Sequence, residues 1–142
     1  QAGLSWVTIL KRRETYRAAF CNFDVKKVSK FTQKDVNRLL KDEGIIRNKL
    51  KVNSAINNAK RFLEVQSEFD SFDKYIWDFV DYIPIKNKFK NASEIPASTA
   101  LSDRISQDLK KRGFNFVGSK VCYAFMQAVG IVNDHTADCF RY

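Results

Sequence analysis

Two glycines, Gly113 and Gly118, lie in a short stretch whose residue types suit the binding of a phosphate group. A helix that precedes Gly113 would end there, because glycine accepts the left-handed backbone of a helix C-terminus. A second helix can begin after Gly118, where its first backbone N–H groups and the positive end of its dipole attract an anion. The spacing therefore predicts a helix-hairpin-helix over about residues 102–129. The alternative is an ordinary helical hairpin whose apolar turn residues fill the core.

Positive charge surrounds this stretch and is in excess over the whole chain. Lys110, Lys111 and Arg112 precede the first glycine, and Lys120 follows the second. The 142 residues contain 25 Lys and Arg and 16 Asp and Glu, which gives a formal net charge of +9. An excess of this size favours an anionic partner, and nucleic acid is the leading class. A solubilising surface without a specific partner is the alternative.

His135 and Cys139 place an imidazole and a thiol one helical turn apart. Both groups are zinc ligands, but a structural zinc site needs four. The other cysteines, Cys21 and Cys122, fall in stretches with helical patterns, where a small buried residue is the simpler interpretation. The residues alone leave two alternatives open, which are half of a zinc site or an unrelated histidine and cysteine.

Candidate catalytic groups are scarce in this sequence. There is one histidine, and there is no phosphate loop, no paired-carboxylate spacing and no Ser/His/Asp arrangement. Asp134 is the acid of most interest because it follows the second helix of the hairpin, although capping or the orientation of a ligand is the simpler interpretation. Trp6 could stack on a base or on a cation, and its alternative role is core packing.

Apolar residues recur at helical spacing, and the sequence predicts an all-α fold with one domain over residues 1–142. A first helix is expected near the N-terminus, with Trp6, Ile9, Leu10, Tyr16 and Phe20 in one apolar arc at helical spacing. Thr32 begins a capping-box pattern for a later helix. Strand-like alternation does not persist anywhere, so no sheet is predicted.

The cysteines and the ends of the chain bear on its origin. Three cysteines at uneven spacing favour a reducing compartment, and no apolar stretch approaches the length of a membrane span, so a cytoplasmic protein is expected. The first five residues, QAGLS, lack a methionine and have a loop-like composition. They favour a fragment from which an upstream element is missing.

Five segments together resemble the bacterial DNA-3-methyladenine glycosylase I family of the helix-hairpin-helix superfamily. They are QAGLSW at 1–6, GIIR at 44–47, SEIP at 93–96, LKKRGFNFVG at 109–118 and FMQAVGIVNDH at 125–135. Each segment is a weak signal by itself. Together they span the chain in order, and the combination is specific to the family.

The resemblance implies a monomeric base-excision repair enzyme. Such an enzyme binds alkylated double-stranded DNA, flips out 3-methyladenine and hydrolyses its N-glycosidic bond. Trp6 matches a wall of the base pocket. The expected DNA-binding residues are Gly3, Leu4, Gly113, Phe114, Gly118 and Lys120. The competing hypotheses are a non-catalytic helix-hairpin-helix DNA-binding module and a zinc-tethered interaction domain.

The resemblance also implies a structural zinc ion. His135 and Cys139 match half of the family's four-ligand site, and the other two ligands belong to an N-terminal segment that these residues lack. The same segment carries the family's pocket glutamate, upstream of Gln1, so no catalytic residue is assigned within the chain and Asp134 is a secondary candidate. We therefore expect residues 1–142 alone to bind DNA weakly and to release little base.

Overall fold

Eight α-helices carry most of residues 5–142, the part of the chain that the computed structural model describes. They are α1 (Trp6–Leu10), α2 (Arg13–Ala19), α3 (Val25–Val28), α4 (Gln33–Lys41), α5 (Lys49–Phe69), α6 (Phe72–Trp77), α7 (Ala100–Lys111) and α8 (Ser119–Ala128). Short 3-10 turns occupy Cys21–Phe23, Asp78–Val80 and Ala92–Glu94. The predicted all-α fold class is confirmed. None of these helices is long and apolar enough to cross a membrane.

Two dipeptides pair as parallel strands, which the sequence did not predict. β1 (Ile85–Lys86) lies beside β2 (Val132–Asn133), and the N–H of Ile85 donates to the carbonyl of Ile131 at 2.9 Å. Strands of two residues are too short to show an alternation of apolar and polar side chains, so the pattern could not reveal them. The pairing fixes the long loop after α6 against the segment that follows α8.

The start of α4 has the predicted capping box. The backbone N–H of Thr32 donates to Oδ2 of Asp35 at 2.8 Å, and the hydroxyl of Thr32 lies 3.0 Å from the same oxygen. The bond satisfies a backbone donor at the entry to α4 and places a negative charge in its first turn. This prediction is confirmed.

The first helix is shorter than predicted, and its apolar residues are exposed. A turn after Leu10 separates the five residues of α1 from α2. Trp6 is 66% exposed, Leu10 54% and Ile9 38%, so the burial predicted for this part of the apolar arc is wrong. The predicted arc of apolar side chains requires one continuous helix, and the turn ends that continuity. Only α2 and the residue after it, Phe20, reach the core.

Two clusters of buried apolar side chains form the core, and α5 contributes to both. The first cluster contains residues of α2, α3 and α4 and of the first half of α5. The second contains residues of α6, α7 and α8 together with Val65 near the end of α5. Because both ends of this 21-residue helix are anchored by burial, the side chains in its middle have a fixed position beside the turn between α7 and α8.

Arg112 is held by carboxylates and aromatic rings of the protein. Its guanidinium donates to Oδ2 of Asp108 at 2.8 Å and to Oε2 of Glu68 at 2.7 Å. It also lies over the rings of Phe69 and Tyr75, and the Tyr75 hydroxyl donates to Asp108 at 2.7 Å. Arg112 therefore ties α7 to α5 and α6, and its charge is engaged within the protein rather than available to an outside anion.

These contacts make the stabilising effect of Asp108 depend on pH. Burial alone would raise the pKa of the Asp108 carboxyl, but the hydrogen bonds from Tyr75 and Arg112 hold the pKa below its ordinary value of 3.8. Because the folded-state pKa is depressed, the stabilisation is present at neutral pH. It is lost as the pH falls through the folded-state pKa.

We expect Asp108→Asn to lower the free energy of unfolding at neutral pH by about 1 kcal/mol, a value reduced for the partial exposure of the carboxylate. Urea denaturation measures this difference from the wild type, with the exposed Asp138→Asn as the matched control. The difference should shrink when the measurement is repeated below pH 3.8. A difference that stays constant with pH would contradict this role of Asp108.

Candidate nucleic-acid interface

The predicted hairpin is present and joins α7 to α8 through residues 112–118. Gly113 has a φ of +84°, and its N–H donates to the carbonyl of Lys110 at 2.9 Å. The N–H of the next residue donates to the carbonyl of Leu109 at 3.0 Å, which completes a left-handed helix end. A Cβ at Gly113 would lie 3.3 Å from Cδ of Arg61. The backbone itself therefore requires this glycine.

Gly118 lies in open space immediately before α8. Its φ is −62°, a value that any residue adopts. A Cβ there would have no atom of the described structure within 4 Å beyond its chain neighbours. Among residues 5–142, the N–H groups of residues 116–120 donate to no acceptor. The start of α8 thus combines unused donors with the positive end of a helix dipole, which suits a phosphate.

The two phenylalanines of the turn have opposite environments. Phe114 is 8% exposed and packs in the second core cluster, so a DNA contact by this residue is predicted only through its backbone. Phe116 is 49% exposed and has a φ of +57°. A large apolar ring held in the open at a hairpin tip is a further candidate for DNA contact. The alternation of Phe114 and Phe116 around Asn115 is the sequence signal for one buried ring and one exposed ring.

Three lysines surround the hairpin and are exposed, namely Lys110, Lys111 and Lys120. Lys120 is the second residue of α8 and therefore lies beside the unused N–H groups. Together these lysines can draw a polyanion to the turn, and the backbone donors can fix the position of one phosphate. The role of Lys120 in DNA binding stays a prediction.

An open cleft of about 950 Å³ lies between the N-terminal and C-terminal parts of the described chain. Trp6 forms one side of it. Asp134 and His135 form another part of its lining, together with residues of α8, among them Ala124, Gln127 and Ala128. The indole of Trp6 could stack on a planar ligand in this space. The structure thus places Trp6 at the same cleft as Asp134 and His135, two candidate site residues from the other end of the chain.

Asp134 is buried, and the protein itself occupies both of its carboxylate oxygens. Oδ2 accepts from the Tyr123 hydroxyl at 2.6 Å and from the Gln127 amide at 2.8 Å, and Oδ1 accepts from the Asn87 amide at 2.7 Å. Burial, and then the bond to Asp134, raise the pKa of Tyr123. A carboxylate with three donors ties α8 to the paired strands, and this structural role fits the geometry better than proton transfer to a substrate.

His135 and Cys139 approach each other closely enough to share a metal ion. Nδ1 of His135 lies 3.5 Å from Sγ of Cys139. A tetrahedral zinc bound at ~2.1 Å from nitrogen and ~2.3 Å from sulfur holds the two atoms about 3.6 Å apart, so the pair fits zinc. No group of three or more His, Cys, Asp or Glu side chains suited to a metal occurs among residues 5–142. Within these residues the arrangement is a half-site.

Two of the predicted DNA-binding residues, Gly3 and Leu4, lie outside the described residues. Their roles in a wedge loop stay predictions. The described part begins with Ser5, whose side chain accepts a hydrogen bond from the N–H of Thr8 at 3.3 Å and caps α1. This cap sets the position of Trp6 as the first residue of α1.

The fold and the site define an all-helical protein that presents a helix-hairpin-helix turn beside an open cleft. Comparison with known proteins agrees with this class. The sequence pattern of the methyladenine glycosylase family matches residues 1–142. The DNA-3-methyladenine glycosylase 1 of Escherichia coli (strain K12) is 49% identical over 142 residues, which are 100% of this chain and 76% of that protein. The chain belongs to the methyladenine glycosylase family.

Two further relatives show the same correspondence. The DNA-3-methyladenine glycosylase of Haemophilus influenzae (strain ATCC 51907 / DSM 11121 / KW20 / Rd) is 45% identical over 139 residues, which cover 98% of this chain and 75% of the relative. A variant of 3-methyladenine DNA glycosylase I, solved in complex with 3-methyladenine, superposes with a TM-score of 0.94 at 34% identity. That comparison covers 99% of this chain and 75% of the other. The family predicted from the five segments is confirmed.

Proposed function

We propose that this protein is a DNA base-excision repair glycosylase that hydrolyses the bond between 3-methyladenine and its deoxyribose in alkylated DNA. The observation that carries the proposal is the 49% identity along all 142 residues to a protein named for this activity. The likeness to a structure solved with the free base supports the same substrate. The chain spans about three quarters of the length of these relatives.

The hairpin and the lysines supply the affinity for DNA. The amides at the start of α8 would bind one phosphate of double-stranded DNA, and Lys110, Lys111 and Lys120 would neutralise others. Such contacts are independent of sequence. They hold the duplex in one register while a base leaves the stack, a step that costs a few kcal/mol.

The cleft beside Trp6 selects the methylated base. In DNA, 3-methyladenine carries a positive charge, so an aromatic face attracts it by stacking and by a cation–π interaction. Trp6 has an exposed indole at this cleft, and undamaged adenine lacks the charge that strengthens the contact. Trp6 is therefore the base-binding residue of the proposed enzyme.

The chemistry requires little acid or base assistance from the described residues. The methylated base departs as a neutral molecule and is already a good leaving group, so binding that favours the transition state can supply much of the rate. Asp134, the secondary candidate, is engaged by three donors of the protein. We assign no catalytic acid, base or nucleophile within residues 5–142.

A structural zinc ion is part of the proposal. His135 and Cys139 would supply two of its ligands, and their 3.5 Å separation supports this assignment. Bound there, zinc would fix the C-terminal segment that lines the cleft and would take no part in the hydrolysis. The proposed enzyme acts as a monomer in the cytoplasm.

We expect free 3-methyladenine to quench the fluorescence of Trp6. The chain contains two tryptophans, and the other, Trp77, packs against the second core cluster. A Trp77→Phe variant therefore reports on Trp6 alone. In calorimetric titrations, Trp6→Ala should weaken binding of 3-methyladenine about tenfold or more, the scale of one base–aromatic stack.

The matched measurement uses undamaged adenine with the same variants. Both free bases are neutral, so each should stack on Trp6, and the charge that favours the lesion acts only when 3-methyladenine is still part of DNA. An unchanged affinity for 3-methyladenine in Trp6→Ala would contradict the assignment of Trp6. Duplex binding without any response to 3-methyladenine would favour the non-catalytic DNA-binding module.

A further inference from the structure

The middle of α5 holds the hairpin turn by side-chain amides. Asn58 makes two bonds to one residue of the turn, because its Oδ1 accepts from the N–H of Asn115 at 2.8 Å and its Nδ2 donates to the carbonyl of Asn115 at 2.9 Å. The neighbouring Asn57 donates to the carbonyl of Gly113 at 2.8 Å. These bonds join residues that are 57 and 56 positions apart in the chain.

A third carbonyl of the turn is held in the same way. The hydroxyl of Ser106, on α7, donates to the carbonyl of Val117 at 2.6 Å. The carbonyls of Gly113, Asn115 and Val117 thus all accept from side chains of the protein. The N–H groups of residues 116–120, by contrast, have no acceptor among residues 5–142. Side chains of the protein thus hold the carbonyls of the turn by hydrogen bonds, and the N–H groups of residues 116–120 remain available to a ligand.

We propose that Asn58, assisted by Asn57, is a positioning residue for DNA binding. It holds the turn so that the N–H groups at the start of α8 are arranged for a phosphate. The proposal rests on the proposed function for the presence of DNA at this turn. The proposal adds that DNA binding at the turn depends on a side chain of α5.

The chemistry of asparagine explains why this residue type occupies the position. One planar amide offers an acceptor and a donor side by side, and these match the N–H and the carbonyl of a single residue. Alanine offers neither group, and aspartate keeps the acceptor but loses the donor. The turn between Gly113 and Gly118 has no helical bonds of its own to replace this support.

The test compares Asn58→Ala with Asn53→Ala, which removes an exposed amide from the same helix. Fluorescence anisotropy with an undamaged duplex should show about tenfold weaker binding for Asn58→Ala, equivalent to ~1.4 kcal/mol, and no change for Asn53→Ala. The dependence of affinity on salt should stay the same, because Asn58 carries no charge. Lys120→Gln should instead reduce the salt slope by about 1.

Kinetics of the protein extended by the N-terminal segment of a relative, on duplex that contains 3-methyladenine, separate positioning from simple destabilisation. A positioning role predicts that Asn58→Ala raises KM about tenfold and leaves kcat at saturating DNA unchanged. A loss of folded protein would lower the apparent kcat and leave KM unchanged, and that result would overturn the proposal. An unchanged dissociation constant in Asn58→Ala would overturn it as well.

Asn57→Ala tests the same support of the turn if Asn58→Ala does not fold. Asn57→Ala retains the two hydrogen bonds between Asn58 and Asn115 and loses one hydrogen bond to the turn, so about threefold weaker duplex binding is expected. Unchanged binding there would overturn the proposal. If the protein extended by the N-terminal segment of a relative binds duplex but releases no base, the proposed glycosylase function fails, and the anisotropy result still decides the role of Asn58.

Discussion

Asp134→Ala is expected to lower the free energy of unfolding by about 3 kcal/mol, more than any other substitution considered for this protein. The substitution leaves the Tyr123 hydroxyl and the amides of Gln127 and Asn87 without their shared acceptor. Asp134 is 8% exposed, so water cannot fully replace the carboxylate. The paired strands and the end of α8 should loosen together, because this carboxylate joins them.

Asp134→Asn is the matched variant for this prediction. Its amide keeps the size of the side chain and one acceptor oxygen, and the Asn87 amide can turn to present its own oxygen to the new NH₂ group. We expect a loss of about 1 kcal/mol, the part that comes from the charge. Urea denaturation of both variants measures the difference. A loss below about 1 kcal/mol for Asp134→Ala would contradict the structural role.

Gly118→Ala is expected to weaken duplex binding by about tenfold or more without changing the free energy of unfolding. The backbone at Gly118 has an ordinary φ, and the methyl group would meet no atom of the described structure within 4 Å. The same methyl group would stand beside the N–H groups at the start of α8. A phosphate that approaches those donors would collide with it.

Gly113→Ala provides the contrast at the other end of the hairpin. Its φ of +84° is unfavourable for alanine, and the new Cβ would press against Arg61. A loss of about 1–2 kcal/mol in the free energy of unfolding is expected. Thermal unfolding and anisotropy on both variants test the pair. Equal duplex affinity of Gly118→Ala and the wild type would exclude a close phosphate at this position.

The sequence predicted the local features of this fold well. The hairpin expected over about residues 102–129 is formed by α7 and α8, which span 100–128. Gly113 and the capping box at Thr32 are also as predicted. Each of these features depends on neighbours within one or two helical turns, so residue type and spacing are sufficient evidence.

Features that depend on distant contacts were not predictable. The charge of Arg112 is neutralised by Glu68, 44 positions earlier, and the pair of hydrogen bonds between Asn58 and Asn115 spans 57 positions. The prediction for the first helix was wrong for a related reason. Its apolar arc indicated burial, but α1 leaves Trp6 exposed at a cleft. The structural role of Asp134 likewise required the position of Asn87, which no local pattern provides.

Release of free 3-methyladenine from methylated duplex DNA is the most direct test of the proposed glycosylase activity. Chromatography of the released bases would compare residues 1–142 alone with the same residues preceded by the N-terminal segment of the Escherichia coli relative. We expect the extended protein to release 3-methyladenine well above the spontaneous rate and to leave adenine in the DNA. Release no faster than in protein-free DNA, from an extended protein that is folded and binds duplex, would contradict it.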